Sequence, residues 1–220
     1  MLEDLKKSVV EVAKKAQDIG LCKHKAGNFS IRDKETGYVV VTPSGIDREK
    51  LTYKEVCVVD LDANLIEAET GLKPTSELLM HLEVYKTRED VHSIVHTHSK
   101  FATMFAVLEK EIKPVIYEVL SYGGKVPVAP YGRPGTIELA KSIVEPMKIS
   151  DVCLMSKHGV LAVDKEDIHE ALLKAIYVEE VAEIYYGTLM LNGLKEPDYI
   201  SDEEIAKWKY PDQINLKKIK

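Results

Sequence analysis

The sequence predicts an α/β protein of three layers, with helices on both faces of a central, largely antiparallel sheet. Three observations carry this. Helical and strand patterns alternate along the chain without internal repeats. The strand patterns are short, β-branched and mixed between hairpin spacing and helical crossovers. No linker rich in Pro, Gly or Ser divides the chain, so a single domain over residues 1–220 is expected.

The elements follow in order. Residues 2–19 place Leu2, Leu5, Val9, Val12, Ala13 and Ala16 at helical spacing, and Gly20 stops the helix. Strands are expected over 29–32, 38–42 and 56–60, with Gly37 marking a hairpin-like turn between the first two. Residues 76–86 form a helix with Ser76 or Thr75 as N-cap and Glu77 in its first turn. A strand at 91–97 leads past Ser99 into a helix at 99–109. Strands near 126–129, 151–156 and 159–163 come next, with a helix at 135–148 between the first two. A long helix covers 167–191 after Asp164 and Asp167, with Ala171, Ile176, Ala182 and Leu189 facing the core. The segment after Pro197 is polar and basic, ending Lys217-Lys218-Ile219-Lys220, and a solvated, mobile tail is expected from about 207 to 220.

Composition narrows the function. The chain has 220 residues, enough to bury a substantial core, and 45% of them are apolar. A net charge of −6 argues against a broad basic face for nucleic acid. Cys22, Cys57 and Cys153 are odd in number and far apart, which is neither a disulfide framework nor a CxxC metal site. Each is expected to pack as a small buried hydrophobe. No run approaches transmembrane length, and the acidic, amphipathic start Met1-Leu2-Glu3-Asp4 does not read as a signal peptide, so a cytoplasmic protein is expected.

The most informative motif is His96-Thr97-His98, after the strand-like run Ser93-Ile94-Val95. Side chains two apart on a strand share a face, roughly 6–7 Å apart, so both imidazoles can grip one metal ion. A third candidate, His158, sits at a tight junction between two strand patterns, with Gly159 permitting an unusual backbone angle. Glu77 supplies a carboxylate. Three neutral imidazoles and one oxygen suit zinc, with one position exchangeable for substrate. Three segments are built to meet an anion: Ala26-Gly27-Asn28-Phe29-Ser30, Thr42-Pro43-Ser44-Gly45, and Thr75-Ser76 ahead of a helix. Small residues there expose N–H and hydroxyl donors, and Lys25 could add charge. Thr75-Ser76 directly abuts Glu77, which places a phosphate pocket beside a metal. His24, His81, His92 and His169 read as structural.

Taken together, Gly-Asn-x-Ser, Thr-Pro-x-Gly, Ser-Glu before a helix with His81 four residues on, HxH and His-Gly, in this order, resemble the class II aldolase/adducin family. Within it they lie nearest its L-fuculose-phosphate aldolase branch. The resemblance spans about residues 5–206, with further matches at Gly123-Gly124, Pro130-Tyr131, Gly135-Thr136 and Ser201-Asp202-Glu203-Glu204-Ile205-Ala206. It implies an αβα fold, a fourfold-symmetric homotetramer with active sites at subunit interfaces, and a zinc-dependent enzyme. Zn²⁺ would lie on His96, His98 and His158, with Glu77 as a ligand in the free enzyme. Phosphate would lie on Gly27, Asn28, Ser44, Gly45, Thr75 and Ser76. Tyr117 matches a tyrosine that serves as proton donor from a neighbouring subunit, and Tyr210 is a looser match to a second, C-terminal one.

The implied reaction is reversible cleavage of a ketose 1-phosphate, such as L-fuculose 1-phosphate, to dihydroxyacetone phosphate and a short aldehyde such as lactaldehyde. Zinc would stabilise the negative charge left on the dihydroxyacetone phosphate half. Glu77 would shuttle the proton beside the carbonyl, and Tyr117 would serve the oxygen of the aldehyde half. Among the alternatives, pentulose-phosphate 4-epimerases of this fold resemble Ser-Asp where Ser76-Glu77 stands. Methylthioribulose-1-phosphate dehydratases share the zinc ligands and an acid–base Glu. Noncatalytic adducin heads lack the histidines that this chain has. Arg133-Pro134 stands where the fuculose-phosphate enzyme carries a bulky aromatic facing the aldehyde. Lys25 replaces a small hydroxyl residue, and Lys157 precedes the third histidine where a polar residue or His is usual. The preferred aldehyde is therefore open among fuculose, ribulose and 5-deoxyribulose 1-phosphates.

Overall fold

The computed structural model describes residues 1–207. Eight strands form one sheet: β1 (Asn28–Arg32), β2 (Val39–Val41), β3 (Cys57–Val59), β4 (Leu65–Glu67), β5 (Ser93–Thr97), β6 (Val128–Ala129), β7 (Val152–Met155) and β8 (Gly159–Asp164). Their order is β4-β3-β2-β1-β5-β8-β7-β6, antiparallel throughout except for β6 beside β7. Among the described residues there are seven α-helices: α1 (Glu3–Asp18), α2 (Leu78–Thr87), α3 (Lys100–Val107), α4 (Ile137–Ser142), α5 (Val144–Ile149), α6 (Ile168–Leu191) and α7 (Asp202–Lys207).

Apart from the edge strand β4, the strands are largely buried on both faces, which is why they read as near-continuous apolar runs. Phe29, Ile31, Val40, Val58, Val95, Val160 and Ala162 face α1, α3 and α6. Their neighbours Val39, Val41, Val59, Ile94, Leu161 and Val163 face α2, α4 and α5. This alternation produces the three layers, and each fully buried Val, Ile or Phe contributes about 1.5–3 kcal/mol. It also fixes which polar side chains meet. Asn28 and Ser30 alternate with Phe29 and Ile31, and His96 alternates with Val95, so all three fall on the α2 side of the sheet. Asn28 lies directly opposite His96 in the β1–β5 pairing.

Polar groups tie the layers at their edges. Asp167 caps α6 by accepting the N–H of His169 at 2.8 Å. The Glu179 carboxylate of α6 receives the N–H groups of Phe101 and Ala102 at 2.9 Å each, and so caps α3. Beyond α2, Arg88 pairs with Asp90 at 2.8 Å and Asp151 at 3.0 Å, while Lys174 joins Asp151 at 2.8 Å and Asp164 at 2.9 Å. The three cysteines are free and buried, as expected.

Two expectations need correction, and two elements, β4 and α7, were not expected. Helix α2 starts at Leu78, with Glu77 in the capping position; the Glu77 side chain makes no capping hydrogen bond, and the Thr75 hydroxyl accepts the Glu77 N–H instead. The helix expected at 135–148 is two helices meeting at Ile143, because Pro146 has no N–H to continue the ladder. Strand β4, an exposed edge strand, was not expected; a turn held by Asp60, which accepts the N–H groups of Asp62 and Asn64, returns the chain to it. The segment after Pro197 carries α7, whose Ile205 packs against the core beside Gly124. Residues 208–220, with Tyr210 and the basic end, lie outside the described residues. Among the described residues, no helix is long and apolar enough to cross a membrane.

Candidate active site

The site forms where β1, β5 and the β7–β8 hairpin meet the start of α2. His96 is the penultimate residue of β5, and His98 lies just beyond its end. His158 is the last residue of the three-residue turn between Met155 and Gly159, which are paired across the hairpin. The ligand-capable nitrogens of the three rings lie within 4.8 Å of one another, and those of His96 and His98 are 3.0 Å apart. The Glu77 carboxylate closes the group: Oε2 is 3.2 Å from His96 Nε2, and Oε1 is 3.2 Å from His158 Nε2.

Two glycines allow this convergence. A Cβ on Gly159 would lie 2.3 Å from the Thr97 carbonyl oxygen and 3.3 Å from the rings of both His96 and His98. Gly159 thus serves close approach. The left-handed backbone of this turn falls on Lys157, at φ 56°. Gly27, at φ 79°, is as tightly placed, since a Cβ would meet Cys22 Sγ at 2.5 Å and the His96 carbonyl oxygen at 2.7 Å. The buried Arg48 guanidinium donates to the carbonyl oxygens of Ala26 and Gly27 and fixes this loop from behind.

The protonation pattern favours a metal ion. His96 Nδ1 lies 2.8 Å from the Val160 carbonyl oxygen, which can only accept, so the proton is on Nδ1 and the Nε2 lone pair faces the cluster. Burial is the largest influence on His98 and His158 and pushes them down to about 3 and about 4, leaving both imidazoles neutral at pH 7. Burial works against ionisation of Glu77. The neighbouring His96, His158 and Asn28 outweigh it and hold the carboxyl well below the usual range. Glu77 Oε1 is buried yet has no hydrogen-bond partner. Three imidazoles and a carboxylate with an unfilled oxygen, converging on one point, can hold a divalent cation.

The segments expected to meet an anion are brought together beside this cluster. Ser44 N–H donates to the Lys73 carbonyl at 2.9 Å, Thr75 N–H donates to the Thr42 carbonyl at 3.0 Å, and Pro43 bridges Pro74. Gly27 and Asn28 open β1 next to them. Ser44, Gly45 and Ser76 are exposed, whereas Thr75 is buried and its hydroxyl accepts the Glu77 N–H at 3.3 Å. The Asn28 side chain is also taken up: its amide donates to Glu77 Oε2 at 2.8 Å, and its oxygen lies 2.5 Å from His81 Nε2. Lys25 is exposed and 3.7 Å from Asp47. Tyr117 is not part of this cluster; it is 59% exposed, in a shallow depression shared with Tyr177. His24, His92 and His169 stand apart from the cluster. His81, read as structural, is joined to it through Asn28. Its position one turn after Glu77 was the available signal.

Fold and site together define a class, and comparison with known proteins agrees. The family description "Class II Aldolase and Adducin N-terminal domain" matches residues 7–186. The chain belongs to the class II aldolase and adducin family. It is 36% identical over 205 residues to 5-deoxy-D-ribulose 1-phosphate aldolase of Bacillus thuringiensis serovar kurstaki, covering 93% of both chains. It is 38% identical over 169 residues to L-fuculose phosphate aldolase of Methanococcus maripaludis, covering 77% of this chain and 87% of that one. A solved structure of L-fuculose 1-phosphate aldolase superposes with a TM-score of 0.86 at 33% identity, covering 92% of this chain and 93% of that one.

Proposed function

We propose that this chain is a zinc-dependent aldolase that reversibly cleaves a ketose 1-phosphate, L-fuculose 1-phosphate or a close analogue, to dihydroxyacetone phosphate and a short aldehyde. The observation that carries this is the convergence of His96, His98, His158 and Glu77 beside Ser44, Gly45 and Ser76. It joins a cation site to a set of anion donors within one family of aldolases. The names of the relatives support the substrate class. They divide over the aldehyde half, where Arg133-Pro134 also sets this chain apart.

In this reading His96, His98 and His158 hold the ion, which supplies Lewis acidity to the carbonyl end of the substrate. Ser44, Gly45, Thr75, Ser76 and the Gly27-Asn28 backbone hold the phosphate and use its binding energy to position the reacting carbons. Glu77 moves the proton at the carbon next to the carbonyl, through Oε1, the oxygen that accepts no hydrogen bond. Tyr117 serves the aldehyde oxygen. Its exposure, away from the histidines of its own chain, supports delivery to the site of a neighbouring subunit in a homotetramer.

The test is a substrate panel on zinc-loaded protein, with dihydroxyacetone phosphate release coupled to a reporter enzyme. L-fuculose, D-ribulose and 5-deoxy-D-ribulose 1-phosphates are compared. Release from at least one of them is expected, and the ranking identifies the aldehyde half. Release from none would contradict the proposal.

A further inference from the structure

Behind Glu77 runs a line of buried polar side chains that no step above uses. Asn28, Ser30, His81 and Tyr85 are 6%, 0%, 0% and 1% exposed, so their hydrogen bonds are satisfied within the protein. Asn28 Nδ2 reaches Glu77 Oε2 at 2.8 Å, and Asn28 Oδ1 lies 2.5 Å from His81 Nε2. His81 Nδ1 lies 2.7 Å from Ser30 Oγ, which is 2.8 Å from the Tyr85 hydroxyl.

The chemistry leaves one arrangement of protons. The Glu77 carboxylate only accepts, so the amide nitrogen of Asn28 must face it. Asn28 Oδ1 then faces His81 and accepts, so His81 carries its proton on Nε2. His81 Nδ1 is therefore an acceptor, Ser30 donates to it, and Tyr85 donates to Ser30. Turning the Asn28 amide over would set its oxygen against a carboxylate and its N–H₂ against an N–H. Each of these contacts costs a hydrogen bond among groups buried away from solvent.

We propose that His81 is a positioning residue: its Nε2–H locks the Asn28 amide in the orientation that tethers Glu77 Oε2 and leaves Oε1 free to move the proton. This rests on the reading of Glu77 as the acid–base group. The device suits a residue that must let go of a metal ion and reach a carbon. One oxygen is the pivot and the other is free to work. Burial pushes the His81 imidazole down to about 3, with His96 adding to the effect, so the ring stays neutral and its proton stays on one nitrogen at physiological pH.

The test combines a spectroscopic readout with a rescue. In ¹⁵N-histidine spectra of the zinc-loaded protein, His81 is expected as the neutral Nε2–H tautomer from pH 6 to 8. His81→Phe keeps the bulk and removes the donor. It should lower kcat about 10–100-fold while KM changes little. His81→Gln can place an N–H where Nε2 lies and should recover most of kcat. An Nδ1–H tautomer, wild-type turnover in His81→Phe, or equal impairment of the Phe and Gln variants would each overturn the proposal. If His81→Phe does not fold, the tautomer of the wild-type protein decides. Glu77→Gln separates the two readings: full activity there removes Glu77 as the acid–base group, whereas an inactive Glu77→Gln beside an unimpaired His81→Phe removes only the role of His81.

Discussion

At the scale of single residues, Glu77 and Gly159 make the sharpest demands. Glu77→Gln keeps the shape of the side chain and a neutral oxygen for Asn28 to tether. It should therefore retain the fold and bound zinc while losing about 10²–10⁴-fold in kcat, measured by metal analysis and steady-state kinetics on one preparation. Gly159→Ala forces a methyl group to within 2.3 Å of the Thr97 carbonyl oxygen and into contact with the His96 and His98 rings. It should destabilise the protein by about 1–3 kcal/mol and weaken zinc binding, seen in denaturant titration and metal competition. The residues that converge on the candidate metal site were legible in the sequence because their signals are local: HxH at a strand end, His before Gly, Glu beside Thr-Ser. The contacts of Asn28 and His81 were not. Their contact joins β1 to α2 across 53 residues, and no periodicity reports which buried groups meet. The resemblance placed Asn28 on the phosphate, whereas its amide is taken up by Glu77.

At the scale of elements, the strands and long helices were legible wherever hydrophobic spacing was strong, as in α1, α6 and the β7–β8 hairpin. The misses have physical causes. Strand β4 has an exposed Leu65 and Ile66, so it lacks the buried pattern that marks its neighbours. In the 135–148 segment, apolar spacing continues through Ile143, and the break was visible only in Pro146. The cap on α3 was also illegible, because Glu179 arrives from α6, 77–78 residues away. That carboxylate receives two of the N–H groups left unpaired at the start of the helix that follows His98. Glu179→Ala should lower stability by about 1 kcal/mol and loosen zinc, with the loss visible as a lower melting temperature of the metal-free protein.

At the scale of the whole molecule, the layered fold followed from alternating burial, and charge ties its edges. The Arg88 guanidinium holds Asp90 below the ordinary aspartate range. For Asp164 burial opposes ionisation, but the N–H groups of Glu166 and Asp167 and the Lys174 ammonium outweigh it. A carboxyl whose folded-state pKa is depressed contributes stability above its unfolded value, near 4, and loses it as pH falls toward the folded value. Urea midpoints should therefore drop as pH falls below about 4, and Arg88→Met should flatten that slope. The shared-site reading makes a separate demand on the assembly. His96→Ala and Tyr117→Phe should each be nearly inactive. Co-expressed in equal amounts, they should recover about a quarter of wild-type activity, since random fourfold rings place an intact histidine set beside an intact tyrosine at about that frequency. Recovery of none would remove Tyr117 from the neighbouring site.

The central claim is that His96, His98, His158 and Glu77 form the metal centre of a ketose 1-phosphate aldolase. The most direct measurement follows dihydroxyacetone phosphate release from L-fuculose 1-phosphate and 5-deoxy-D-ribulose 1-phosphate by one preparation as purified, after chelation, and after zinc is restored. Release that vanishes with the metal and returns with zinc is the expected result. Release that survives complete removal of the metal would contradict it.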